Sequence, residues 1–148
     1  MLDQVPLGGL QWPLEALALL FLLAGLMLPL VQWSTLPERI PSHFNIMGRP
    51  DRWGGRWVFI GFACLQLFIY GMFTVQGHTL DYLAGSGLPF NAISFLLLWT
   101  KLVIEGLFLY LIWTMIRVAR AQAEKANIVL MLLFSALLVV PILLIRVK

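Results

Sequence analysis

Residues 13–33 read PLEALALLFLLAGLMLPLVQW, an apolar run whose single charge, Glu15, stands at its edge. A bilayer core takes about 20 such residues as one helix. Lipid offers the backbone no hydrogen bonds, so the segment must satisfy its own by coiling. The run therefore predicts a transmembrane helix. Pro13 is tolerated in a first helical turn, where its missing N–H would be unpaired anyway, and Pro29 should kink or end the helix. Three further windows share the pattern. Residues 57–76 carry no charge; residues 93–116 hold Lys101 and Glu105; residues 127–145 carry no charge and hold Pro141 near their end. The fold expected is all-α: a polytopic membrane protein with four transmembrane helices in a compact bundle and an ordered first loop.

Composition agrees with this reading. Apolar residues make up 61% and charged residues 11%, against about 45–50% and about 25% in soluble domains. So few charges cannot cover a water-soluble globule. They exclude a disordered chain, a nucleic-acid binder of ordinary composition and a disulfide-stapled secreted domain. The net charge of +3 suits loop arginines facing anionic lipid. The lone Cys64 forbids an intrachain disulfide. A signal peptide is rejected: the leading segment carries Asp3 but no Lys or Arg, and no small-residue cleavage pattern follows the apolar run. Residues 34–56 form the longest stretch outside the windows, so the 148 residues read as a single membrane domain without a soluble part.

Loop charge sets the expected orientation. Arg39, Arg49, Arg52 and Arg56 lie in the first loop, and Arg117, Arg120 and Lys125 in the third. The N-terminal segment and residues 77–92 have no Lys or Arg, and the C-terminus has Arg146 and Lys148. Both termini are thus expected outside, with the first and third loops in the cytoplasm. Trp12, Trp33, Trp53 and Trp57 sit near proposed span ends, where indole prefers the headgroup layer.

The first loop is no generic linker. Residues 36–56 read LPERIPSHFNIMGRPDRWGGR. Pro37 and Pro41 push the residues before them toward extended backbone. Gly48 can take positive φ, so Asn45–Gly48 reads as a turn. The expectation is an extended–turn–extended hairpin on the membrane surface, ordered and packed on the helix ends, with Ile40, Phe44, Met47 and Trp53 seeking burial. Asn45 should close the turn. Asp51 should accept hydrogen bonds from backbone N–H groups or from Arg39 or Arg56. His43 should pack its ring while bonding a carbonyl, or else share an anion or metal with Asp51. A metal site wants three or four ligands, and the only other histidine, His78, falls in a loop expected on the opposite face. No metal or cofactor is expected.

Leu36, Pro37, Ile40, Pro41, His43, Phe44, Asn45, Gly48, Asp51, Trp53 and Gly54 fill the pattern L-P-x-x-I-P-x-H-F-N-x-x-G-x-x-D-x-W-G. In this the chain resembles the SdpI-like family of bacterial membrane proteins, at that family's N-terminal domain of unknown function. Leu88-Pro89-Phe90-Asn91 is similar to the family's second loop. Two departures stand out: Gly55 and Arg56 replace a frequent lysine after the W-G pair, and full-length members carry more spans. The resemblance implies a bacterial inner-membrane location, immunity to a secreted toxin and signalling by sequestration of a regulator.

Within the spans, Lys101 and Glu105 are spaced i,i+4 and share a helix face. Each mid-span ion costs about 2.5–3.5 kcal/mol on insertion scales, so the plain reading is a structural ion pair, with Gln66 as the expected polar neighbour. Their functional reading is a proton or cation relay. No nucleophile–base set is apparent, and Glu124 and Lys125 read as a solvated helix end, so no enzyme is expected. The function expected is a non-enzymatic membrane protein that binds a protein or peptide partner, of immunity, signalling or accessory-subunit type; besides that partner it contacts membrane lipid and no nucleic acid. The alternative is a small proton- or cation-coupled transporter using Lys101 and Glu105, which would need a second copy to form a pathway. Gly25, Gly61, Gly71 and Gly106 allow close helix approach without building a G-x-x-x-G face, which leaves self-association open.

Overall fold

The first apolar run forms a helix longer than its hydrophobic core. In the computed structural model, which describes residues 8–83 and 90–144, α1 spans Gly8–Val31. Pro13 therefore sits in the second turn, not the first, and Glu15 lies inside the helix. Pro29 marks the end, since α1 stops two residues later. A short 3₁₀ turn over Trp33–Thr35 follows, then strands β1 (Ile40–Phe44) and β2 (Pro50–Gly54). Helices α2 (Val58–Leu83), α3 (Phe90–Ala119) and α4 (Ile128–Leu144) follow.

Among the described residues three helices are long and apolar enough to cross a membrane, through Leu10–Val31, Val58–Gly77 and Ser94–Ala119. The fourth, α4, has 17 residues, the lower end of the range that spans hydrocarbon. One boundary needs correction. Helix α2 continues past residue 76 to Leu83, so position 78 is helical and not in a loop. Polarity misleads there because Thr74 and Thr79 turn their hydroxyls back onto the carbonyls of Tyr70 and Val75, at 2.8 and 2.9 Å. Polar side chains that bond their own helix do not end it. Of the stretch similar to the family's second loop, Leu88 and Pro89 lie outside the described residues.

The bundle is organised around α3. Helices α1, α2 and α4 and strand β1 all pack on it, while α1 and α2 touch each other little. Half of the α3 window is buried, against 22% for α1 and 11% for α2; the outward faces of α1 and α2 are left for lipid. The densest apolar cluster lies at the hairpin end: Leu36, Ile40, Phe59, Ile112, Met115 and Ile116. Leu36 and Ile40 belong to the loop, where water is the alternative. Burying each side chain stabilises the fold by about 1.5–3 kcal/mol, whereas apolar contacts between helices in lipid gain no such term.

Both turns at that end are built locally. Helix α3 closes with the Ala121 N–H donating to Val118 O at 3.0 Å and the Gln122 N–H to Arg117 O at 2.8 Å. This double closure needs a left-handed residue, and Ala121 supplies it at φ 56°. Asn127 then caps α4, its Oδ1 accepting from Val129 N at 3.0 Å. Tyr110 of α3 holds the cap in place, its hydroxyl accepting from Asn127 N at 2.7 Å.

Candidate functional site

Two sites take shape, one at the C-terminal end of α3 and one near its middle. The first is the hairpin. Strands β1 and β2 pair antiparallel, with Ile40 opposite Gly54, Pro41 opposite Trp53, His43 opposite Arg52 and Phe44 opposite Pro50. The register slips on either side of His43. The turn runs over Asn45–Gly48: Gly48 N donates to Asn45 O at 2.8 Å and Asn45 N to Arg49 O at 2.9 Å. Asn45 Oδ1 accepts from Met47 N at 2.9 Å and Arg49 N at 3.0 Å. Gly48 takes φ 73°, a left-handed conformation that glycine alone adopts without cost. Its carbonyl accepts from Ala126 N at 2.8 Å, and a Cβ there would lie 2.5 Å from Ala126 O. The turn is thereby sewn to the α3–α4 connection.

Burial along the hairpin divides sharply. Ile40 and Pro41 are fully buried and Phe44 half-buried, whereas Trp53 and Met47 are largely exposed and Ile46 is 89% exposed. Met47 and Trp53, expected to dip into the membrane interface, do not pack on the bundle. Met47 lies in the turn, outside both strands, and Trp53 belongs to β2, while β1 is the strand that packs on α3 through Ile40 and Pro41.

The partner of Asp51 also differs from expectation. Asp51 Oδ1 lies 2.6 Å from His43 Nδ1, so the imidazole bonds the carboxylate and not a carbonyl. Arg56 instead donates to Pro37 O at 3.3 Å. The hydrogen bond from His43, first, and the charge of that ring hold the Asp51 carboxyl below its ordinary value. Among the described residues no three His, Cys, Asp or Glu side chains converge on a metal-sized point.

The second site lies between α1, α2 and α3. Lys101 does not pair with Glu105. Its ammonium donates to both carboxylate oxygens of Glu15 on α1. It also reaches Thr74 Oγ1 at 3.2 Å and sits 4.6 Å above the Tyr70 ring. The Tyr70 hydroxyl donates to Glu15 Oε1 at 2.8 Å. Depth explains the exchange of partners. Helices α1 and α3 run the same way, and Glu15, seven residues into α1, meets Lys101, eleven into α3. Glu105 lies about 6 Å deeper at 1.5 Å per residue.

At that depth Glu105 Oε2 accepts from Gln66 Nε2 of α2 at 2.9 Å, and both side chains are fully buried. Gly25 of α1 makes room for the amide, since a Cβ there would lie 2.6 Å from Gln66 Nε2. Above the pair, toward the start of α1, a cavity of about 270 Å³ is lined by Gln11, Trp12, Glu15, Thr74, Ser94 and Lys101 among others. Gln66 as the polar neighbour of Glu105 was legible in the sequence. The roles of Glu15, Tyr70 and Thr74 were missed. The available signal was that Glu15 is the one acid in the first span and α3 holds the one mid-span cation.

The family described as a domain of unknown function (DUF1648) matches residues 20–67. That stretch covers the second half of α1, the whole hairpin and the start of α2 as far as Leu67, Gln66 included. It leaves out Glu15, Lys101 and Glu105. No curated protein and no solved structure matches the chain.

Proposed function

We propose that this chain is a non-enzymatic bacterial inner-membrane protein that recognises a protein or peptide partner through the hairpin, of the immunity, signalling or accessory-subunit type implied by the SdpI-like loop. One observation carries the reading. The hairpin is fixed on the bundle, yet it holds Ile46 and Met47 out at its tip, 89% and 62% exposed. An isolated two-stranded hairpin is marginal in water; this one is held by Leu36 and Ile40 beneath and Ala126 behind. That anchoring runs through the Gly48 backbone and the strand side chains and leaves the Ile46 and Met47 side chains free. A surface ordered before contact spares the partner the entropy of ordering it. Arg49 and Arg52 flank the tip, both exposed, so the complementary segment is apolar with acidic neighbours. The loop arginines gather at the hairpin end of the bundle, which supports a cytoplasmic hairpin with termini outside.

The test is co-purification from mild detergent with Ile46→Ser/Met47→Ser against wild type. Both side chains are exposed, so the variant should melt as wild type does, within about 0.5 kcal/mol, while losing the partner. A variant that retains the partner in full sinks the reading.

A second reading, a small proton- or cation-coupled transporter, draws on the Glu15–Lys101 pair with Glu105 about one helical turn deeper. Uptake of a labelled cation by proteoliposomes separates it from the first.

A further inference from the structure

Among the described residues the spans hold two carboxylates, Glu15 and Glu105, and one ammonium, Lys101. The ammonium has three N–H donors, and Glu15 and Thr74 take them. Glu105 is left with a neutral amide. A carboxylate facing an amide can share one hydrogen bond, Nε2–H to Oε2; the two remaining facing oxygens are both acceptors. Those are the atoms found without partners, Gln66 Oε1 and Glu105 Oε1, both buried. Turning the amide over does not help, because Gln66 Oε1 would then oppose Glu105 Oε2. A metal ion does not fit two oxygens, since hard cations take about six or more. One hydrogen does fit. Placed on Glu105 Oε1, it makes that atom a donor to Gln66 Oε1. The pair then becomes a doubly bonded acid–amide ring, and no uncompensated charge remains at bilayer depth.

Access to this pair is unequal from the two sides. Toward the start of α1, the Glu15–Lys101 pair and the cavity lie about one helical turn away. Toward the hairpin stand Phe59, Ile112, Met115 and Ile116, all buried and apolar. Facing Glu105 are Gln66 and Tyr70 from α2, Lys101 on α3 and, through Lys101, Glu15 from α1; α4 contributes no titratable side chain.

We propose that Glu105 is a proton-binding site, loaded from the cavity side alone, whose bound proton latches α2 to α3 through Gln66. A proton from cavity water adds to the carboxylate and returns to the same face on release. Charge and hydrogen bonding change at the α2–α3 contact with no ion crossing the membrane. This inference is independent of partner recognition by the hairpin, and it replaces net transport by one-sided exchange.

The test is infrared spectroscopy of the full chain in proteoliposomes, with glutamate carrying ¹³C at the side-chain carboxyl. At neutral pH wild type should show the carbonyl stretch of a protonated glutamic acid, shifting in ²H₂O. Absence of that band in wild type overturns the proposal without recourse to any variant. The band should vanish in Glu105→Gln, whose side chain can keep an amide–amide pair with Gln66; persistence there overturns it too. Should Glu105→Gln fail to fold, Gln66→Met serves: the band must move as the carboxyl loses its amide partner, and an unmoved band counts against the proposal. In the same vesicles an imposed potential should drive no sustained proton flux, and a sustained flux refutes loading from one side.

Discussion

Replacing Glu15 by Gln should cost far more stability than replacing Lys101 by Met, although each removes one half of the same ion pair. The Lys101 side chain is 4% exposed and that of Glu15 is 31% exposed. Glu15→Gln therefore strands an ammonium in a nearly dry site, with the Thr74 hydroxyl and the Tyr70 ring as its remaining company. A stranded charge in a span costs about 2.5–3.5 kcal/mol, and breaking buried pairs costs about 3–5 kcal/mol. Gln can still accept one bond from Lys101, so the expected loss is about 2–3 kcal/mol. Lys101→Met strands a carboxylate that borders the cavity and keeps the Tyr70 hydroxyl as donor, and methionine packs well in place of the lysine stem. Its expected loss is about 1 kcal/mol or less, as for partly exposed pairs. The double variant should lie closer to Lys101→Met than to the sum, because no stranded cation remains. Reversible unfolding in mixed micelles, read as a double-mutant cycle, measures all three. Equal losses, or Lys101→Met as the worse, would refute the assignment of Lys101 to Glu15. A coupling between Lys101→Met and Glu105→Gln larger than that between Lys101→Met and Glu15→Gln would do so as well.

The remaining expectations concern the hairpin end. Ala121→Gly should stabilise the fold by about 1 kcal/mol, because it relieves a left-handed alanine at the end of α3; a lower melting temperature contradicts that closure. Gly48→Ala should destabilise by at least about 1–2 kcal/mol from backbone strain alone, and by more from the Ala126 carbonyl in its way; unchanged melting would show that the turn is not docked. The Asp51 carboxyl is held below its ordinary value by His43, so its contribution is complete above the unfolded value, about 3.9, and is lost as pH falls through the lower folded one. In ¹³C carboxyl titrations His43→Ala should raise the Asp51 midpoint, and an unmoved midpoint means that the pair does not form in solution.

What could be read from the residues follows from how local each cause is. The spans were legible because some twenty apolar residues in a row leave the backbone one solution. The Asn45–Gly48 turn was legible because an Asn side chain and a left-handed Gly act within four residues. The partners of Lys101 and Asp51 were not. Glu15 lies 86 positions from Lys101, and only the packing of α1 on α3 brings them to one depth; the i,i+4 rule nominates Glu105, which belongs to α2 through Gln66. His43 meets Asp51 because the strand register slips at His43, and no spacing rule announces a bulge. Which of the hairpin's apolar residues pack on the bundle was illegible for a related reason. Apolar character shows that burial is favourable, and only the docking of β1 on α3 shows which residues obtain it.

A hairpin tip that meets a protein can be trapped on it. A photoreactive amino acid placed at position 46 in living cells, with position 72 on the outward face of α2 as the reference, tests that contact most directly. Position 46 should give one discrete protein adduct and position 72 lipid adducts. Lipid adducts alone from position 46, or the same adduct pattern from both positions, would contradict it.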